Sequence, residues 1–297
     1  MLNILSKLIL ILWSILERVL PWQISYYVNY TLYRRRIPNL KYPRDYSEFI
    51  FRDNLLQRHN KLAFLADKYT VREYVKERGL GSTLTELYGV WDYAEKIDFG
   101  TLPNKFVLKC NHSCGMNIVC YDKSKLDFNK TVQQLSEWER KKHPFRYESH
   151  YYEIKPLIIC EELIPNNYDG YFPIDYKIHC ANGKAIFIQC CFERDERDES
   201  KMVTYTPSWE RKEYILHNIH YTDADLPKPK HLVEMIEAAE ILSSGLDYVR
   251  IDLYDTPERV FFGEITLTPQ GGWLSNLTDE IKIEMGNYIR KDKGNEC

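Results

Sequence analysis

The chain has 297 residues, of which 44% are hydrophobic and 28% charged, and its formal charge is -3. That composition supports a sizeable globular core arranged as two or three subdomains. It excludes the basic footprint of a nucleic-acid-binding protein, and neither a long basic block nor zinc-finger spacing restores that class.

Cysteine usage points the same way as composition. Cys110, Cys114, Cys120, Cys160, Cys180, Cys190 and Cys191 lie mostly in apolar, strand-like runs without paired CxxC spacing, which reads as reduced thiols in a cytoplasmic protein.

In chain order, the first segment is MLNILSKLILILWSILERVLPW. Its longest uncharged run, Leu8 to Leu16, is too short for a bilayer core of about 30 Å. Lys7 is followed by Glu17 and Arg18 with no small-residue cleavage site, so a signal peptide fits poorly. Two readings stay open for residues 1–30. The segment is either an amphipathic helix lying on the inner face of the cytoplasmic membrane, with Arg34, Arg35 and Arg36 available to anionic headgroups, or a helix docked on the protein's own core.

From Pro43 to Arg78 the pattern is helical. ADKYTVREYVKERG spaces Tyr69, the stem of Arg72, Tyr74 and Val75 as one amphipathic face, ending at Gly79 and Gly81. Strands follow at Lys105 to Cys110 and Asn117 to Tyr121, then a helix from Phe128 to Lys142. Leu157 to Ile164 reads as a buried strand carrying two acids. In DYKIHCANGKAIFIQCCF, Asn182-Gly183 predicts a type I′ hairpin between alternating strands. His231 to Ser244 is a helix closed by Gly245. Tyr248 to Tyr254 and Arg259 to Thr268 form strands around the turn Asp255-Thr256-Pro257-Glu258, and a last helix runs from Ser275 to Arg290. The predicted class is α+β with antiparallel hairpins.

Three stretches carry chemistry. In VRIDLYDTPERVFFGEITLTPQGG, Asp252 and Glu264 sit in partner strands and can share one sheet face. Two facing acids repel unless a cation neutralises them, and a pair of carboxylates is what Mg2+ uses when it also holds phosphates. The other reading places both acids at water-exposed edge positions. In KFVLKCNHSCGMNIV, Lys109 ends a strand ahead of a small-residue turn that lets backbone N–H groups approach an anion; it is not a Walker loop. Cys160 to Ile164 offers backbone donors and acceptors to an adenine edge. His112 lies in the phosphate-loop candidate, whereas His179 reads as a sheet residue. The run FERDERDESK is either a loop over the site or a solvated edge.

Taken in order, Asp67-Lys68, Lys109 with its loop, Glu161-Glu162-Leu163-Ile164, Arg250-x-Asp252 and Glu264-x-Thr266-x-x-Pro269 make the chain resemble the ATP-grasp superfamily. It is most similar to the teichuronopeptide-biosynthesis (TupA-like) branch, over about Tyr42 to Gly272. The resemblance implies two α+β subdomains clasping ATP: residues 67–165 first, then residues 166–297 with the metal site. Residues 1–30 and a helical segment, residues 31–66, would precede them. It implies that Lys68 and Lys109 hold ATP phosphates, that Ser113, Cys114 and Gly115 cover them, and that Glu161, through its backbone, Glu162 and Leu163 line the adenine hinge. Asp252, Glu264 and Thr266 would hold Mg2+, Arg250 would stabilise the transferred group, and Lys177 matches a family block. Ser113-Cys114-Gly115 replaces the family's glycine-serine-glycine, Thr266 stands where the wider superfamily commonly has asparagine, and Gln270 replaces a glycine.

The reaction implied is ATP-dependent joining of a carboxylate to an amine through an acyl phosphate, with an amino acid and a uronic-acid-containing surface glycan as substrates. That chemistry needs positioning and charge neutralisation more than a protein nucleophile. A glycosyltransferase whose acids hold metal for a sugar nucleotide, and a non-catalytic nucleotide-binding scaffold, are the alternatives.

Overall fold

The computed structural model describes residues 19–165, 173–193 and 200–291. Most of the expected N-terminal helix and most of the FERDERDESK run lie outside the described residues.

The first helix described, α1 (Trp22–Arg34), presents Ser25, Tyr26 and Tyr30 inward and ends at Arg35 in the left-handed region. Tyr26 lies between the rings of Phe51 and Trp273, with centroids 4.2 and 4.7 Å away. The hydroxyl of Tyr30 donates to Glu48 Oε1 at 2.8 Å. Each such buried ring contributes about 1.5–3 kcal/mol through removal of apolar surface from water. The described part of this helix is therefore docked on the core. The arginine cluster is also largely engaged: Arg34 and Arg36 both pair with Asp45, and Arg34 reaches Asp279 as well. This corrects the expectation that these two guanidinium groups are available to headgroups.

Helix α2 (Tyr46–Leu55) starts at Asp45, whose carboxylate caps the N–H of Glu48. The short α3 (Ala63–Ala66) and α4 (Val71–Glu77) follow. On α4 the buried positions are Val71 and Val75, while Tyr69 before it is exposed. Of the expected face, Val75 is buried and Tyr74 packs against the core, and only Tyr69 is turned out. The Arg72 side chain is largely buried, and its guanidinium donates to Glu161 Oε1 at 2.7 Å.

Two antiparallel sheets follow. The first has the order β1-β4-β2-β3, with β1 (Leu87–Trp91), β2 (Phe106–Cys110), β3 (Asn117–Cys120) and β4 (Ile158–Glu161). Helix α5 (Phe128–Glu139) covers it, packing Leu135 against Phe106, Leu108, Ile158 and Cys160. The second sheet has the order β10-β9-β5-β6-β7-β8. Its strands are β5 (Asp175–Ala181), β6 (Lys184–Phe192), β7 (Lys201–Tyr205), β8 (Arg211–Lys212), β9 (Tyr248–Asp255) and β10 (Val260–Thr266).

Asn182 and Gly183 have φ of 50° and 73°, the two left-handed residues that a type I′ turn requires. Helix α6 (Leu232–Ser243) buries Met235, Ala239 and Leu242 against Ile178, Val249 and Ile251 on one face of this sheet. The last helix, α7 (Asp279–Lys291), starts four residues later than its pattern predicts. The described cysteines are all free.

Candidate active site

The face of the second sheet opposite α6 carries most of the candidate side chains. In β9, alternation sends Ile251 and Leu253 into the core and leaves Arg250 and Asp252 on the other face. The partner strand reaches the same face through a bulge. Phe262 pairs with Leu253, then the register jumps and Glu264 pairs with Asp252, Thr266 with Arg250. Gly263 is the inserted residue. A Cβ there would lie 2.9 Å from the carbonyl oxygen of Asp252 and from Tyr254, so a residue without a side chain is needed. Without the bulge, Glu264 would fall on the opposite face.

These groups form one ionic cluster. Arg250 donates to both oxygens of Asp252 at 2.6 Å, to Glu264 Oε1 at 3.2 Å and to the Thr266 hydroxyl at 3.0 Å. Lys177, opposite Asp252 in the β5–β9 ladder, donates to Asp252 Oδ2 at 2.7 Å and to Asp175. Desolvation pushes the Asp252 carboxyl up, but Arg250 and Lys177 outweigh it and hold the group below its usual range. Glu264 follows the same pattern: burial raises it, Lys68 and Arg250 overcome that, and the net shift is downward. For Lys177, burial works against the ammonium, but Asp175 and Asp252 prevail and raise its pKa. It is thus a fixed positive charge rather than a proton acceptor.

Lys68 joins this face to the first sheet. It stands between α3 and α4, with its Nζ 3.6 Å from Glu264 Oε2 and donating to the Ser113 carbonyl at 2.9 Å. Asn111, fully buried at the end of β2, fixes that approach. Its side chain donates to Asp67 Oδ1 at 2.8 Å and accepts from the Leu157 N–H at 2.7 Å, and its carbonyl accepts from the Lys68 N–H.

Lys109 is placed differently. Its ammonium donates to Glu161 Oε2 at 2.7 Å, while Arg72 holds Oε1 of the same carboxylate. Desolvation raises the Glu161 carboxyl, but Lys109 and Arg72 overcome this and lower it. Its side chain, not only its backbone, therefore has a role. Glu161 sits in register with both Leu87 and Val107, so its backbone belongs to the sheet interior. Glu162 lies just past the strand, exchanging bonds with Glu86, and half-buried Leu163 follows.

In the loop between β2 and β3, Ser113 is buried whereas Cys114 and Gly115 are exposed, Gly115 with φ 70°. His112 is buried, and desolvation lowers its pKa. Sequence reasoning missed His143, Glu148 and Thr268, which continue from Ser113 as a hydrogen-bonded chain. No local spacing marks them, because the chain joins three separate segments.

Among the described residues no group of three His, Cys, Asp or Glu side chains forms a metal cluster. Two carboxylates and a hydroxyl on one face, all oxygen donors, nonetheless fit a hard divalent cation that takes its remaining ligands from substrate phosphates. Asp252, Glu264 and Thr266 would hold it. With Lys68 beside them, the arrangement can neutralise a polyphosphate from two sides.

The family model described as TupA-like ATPgrasp matches residues 49–290. Among solved structures, D-alanine–D-alanine ligase from Bacillus anthracis complexed with ATP is similar at 14% identity and a TM-score of 0.43, over 78% of this chain and 69% of that one. D-cycloserine synthetase DcsG is similar at 10% identity and a TM-score of 0.44, over 78% and 71%. The ATP-grasp ligase PsnB, complexed with a precursor variant, Mg and ADP, is similar at 10% identity and a TM-score of 0.41, over 82% and 67%. No curated protein matches the chain. Spanning both sheets and the cluster between them, the family match establishes that this chain belongs to the TupA-like ATP-grasp family and has its α+β fold.

Proposed function

We propose that the protein is an ATP-dependent carboxylate–amine ligase, joining an amino acid to the uronic-acid carboxylate of a surface polysaccharide. The observation that carries this reading is the meeting of Lys68 with Glu264, which sets a phosphate-binding cation against the acidic pair. A carboxylate oxygen attacks the γ-phosphorus and ADP leaves; an amine then attacks the acyl carbon and phosphate leaves, with the amine's proton released to solvent.

Each residue has a task in those two displacements. Lys68 draws the phosphates toward the Ser113 loop, and Asp252 is held rigid by Arg250 and Lys177. Mg2+ would neutralise the charge that builds on the phosphate oxygens. Arg250, fixed by three partners, presents a permanent positive charge to the transferred group. Its fork-shaped guanidinium suits that task better than a lysine would. Lys109 and Arg72 orient Glu161 at the start of the adenine hinge.

A lipid-linked glycan would bring the enzyme to the cytoplasmic face of the membrane. Two features of α1 support that contact. Ile24 and Tyr27 are exposed on its outer side, and they border a groove of about 250 Å3 lined also by Val28, Leu40, Phe51 and Leu55. An apolar stripe left exposed by the described residues suits an interfacial surface, and no described helix is long and apolar enough to cross a membrane.

Purified protein supplied with Mg-ATP, a panel of amino acids and a uronic-acid glycan is expected to release ADP and phosphate and to form the amide. Release of nucleoside diphosphate from a UDP-sugar instead would overturn the reading in favour of a glycosyltransferase, and neither reaction would leave a binding scaffold.

A further inference from the structure

Ser113 is gripped twice. Its carbonyl takes the Lys68 ammonium, and its hydroxyl lies 3.4 Å from His143 Nδ1. The imidazole continues through Nε2, which donates to Glu148 Oε2 at 2.8 Å, and Glu148 Oε1 accepts from the Thr268 hydroxyl at 2.5 Å. With Nε2–H directed at the carboxylate, Nδ1 faces the Ser113 hydroxyl, which can either donate or accept. All four residues are buried: Ser113 at 2% exposure, His143 at 5%, Glu148 at 6% and Thr268 at 1%. Buried polar chains of this kind hold one geometry because every partner lost would leave a group unsatisfied.

The chain begins in the loop between β2 and β3 and ends two residues past Thr266, on the segment leaving β10. The imidazole cannot drift. Tyr151 stacks on it with centroids 4.1 Å apart, and the Tyr152 hydroxyl donates to the main-chain carbonyl of His143 at 2.8 Å.

We propose that His143 and Glu148 are positioning residues that latch the phosphate-covering loop to the end of the metal-bearing strand. The latch fixes Ser113 while an incoming triphosphate draws Lys68 away from the Ser113 carbonyl. Loop and acidic pair then stay in one register as the nucleotide enters. This inference rests on the ATP-grasp reading of the Ser113–Gly115 loop.

Cys114 supplies a direct readout, being exposed in that loop while the other described cysteines are buried. With Cys297 replaced by serine, the maleimide labelling rate of Cys114 is measured in the absence of nucleotide. His143→Ala and Thr268→Val, the second nearly isosteric, should each raise that rate about fivefold, the effect of losing roughly one hydrogen bond. The double variant should add nothing further, since both changes break one chain. Glu148→Gln keeps an acceptor for the imidazole N–H and should label like the parent. Both single variants should also raise the Mg-AMPPNP concentration that half-protects Cys114. Unchanged labelling in Thr268→Val and His143→Ala, in proteins that melt normally, would overturn the latch. Failure of Mg-AMPPNP to protect Cys114 even in the parent would instead overturn the nucleotide reading of the loop, and the positioning role with it.

Discussion

Lys68 Nζ lies 3.6 Å from Glu264 Oε2, a contact between residues 196 positions apart that closes the space between the two sheets. One side chain is a cation from the helical front segment, the other an acid on the edge strand of the second sheet. In the proposed function, their approach puts the charges needed for a polyphosphate and for a divalent cation in the same place.

Lys68→Ala and Glu264→Gln should each lower ADP release at least about 100-fold, the scale expected when one electrostatic stabiliser of a transition state is removed. Glu264→Gln should in addition shift the Mg2+ dependence upward, read as the half-saturating Mg2+ concentration for ADP release. Parent-like turnover in both variants would remove the assigned roles.

Glu161→Ala should destabilise the fold by about 3 kcal/mol, because it leaves the partly buried charges of Lys109 and Arg72 without their shared carboxylate. Urea unfolding gives the number directly. Glu161→Gln keeps hydrogen-bond capacity and should lose less.

Gly263→Ala tests the bulge. The added Cβ would press on the Asp252 carbonyl, so the strands must separate or the register must slip, and a slip turns Glu264 away from Asp252. The expected result is a loss of about 1–3 kcal/mol in unfolding free energy together with loss of ADP release. A fully active and stable Gly263→Ala protein would show that the bulge is not required.

Acid should weaken the fold through its buried histidines. Burial, reinforced by His59 and His143, pushes His150 from 6.5 down to about 3, and burial lowers His59 as well. At His150 the unfolded chain therefore binds a proton below pH 6.5 that the folded protein refuses until about pH 3. Stability from His150 is complete above pH 6.5 and is lost as pH falls through that window, approaching about 1.4 kcal/mol per pH unit, and His59 adds to the loss in the same direction. His150→Phe keeps a ring among Tyr151 and His59 and removes one titrating site. At pH 5 its unfolding should take up about one proton fewer than the parent, as measured from the pH dependence of urea midpoints.

Much of this protein is legible from its residues in order. The Asn182-Gly183 turn, the strands on either side of Thr256-Pro257, the small-residue loop after Lys109 and the buried helix after His231 all declare themselves locally, because turn chemistry and side-chain periodicity act over a few residues. That Asp252 and Glu264 lie in adjoining strands was legible as well, but their pairing depends on the bulge at Gly263, which no local pattern announced. Strands β1, β7 and β8 were not legible: β8 has only two residues, and β1 and β7 take their identity from the strands beside them.

The sequence by itself determined the α+β class, the family and the candidate charges, since those depend on residue types at short, ordered spacings. Only the tertiary structure decided that Arg72 and Lys109 share Glu161, that Arg34 and Arg36 serve the core, and that Ser113 reaches Thr268 through His143 and Glu148. Such partners come together by packing across long sequence separations. No local pattern encodes the distance between them, and only the closed fold sets it.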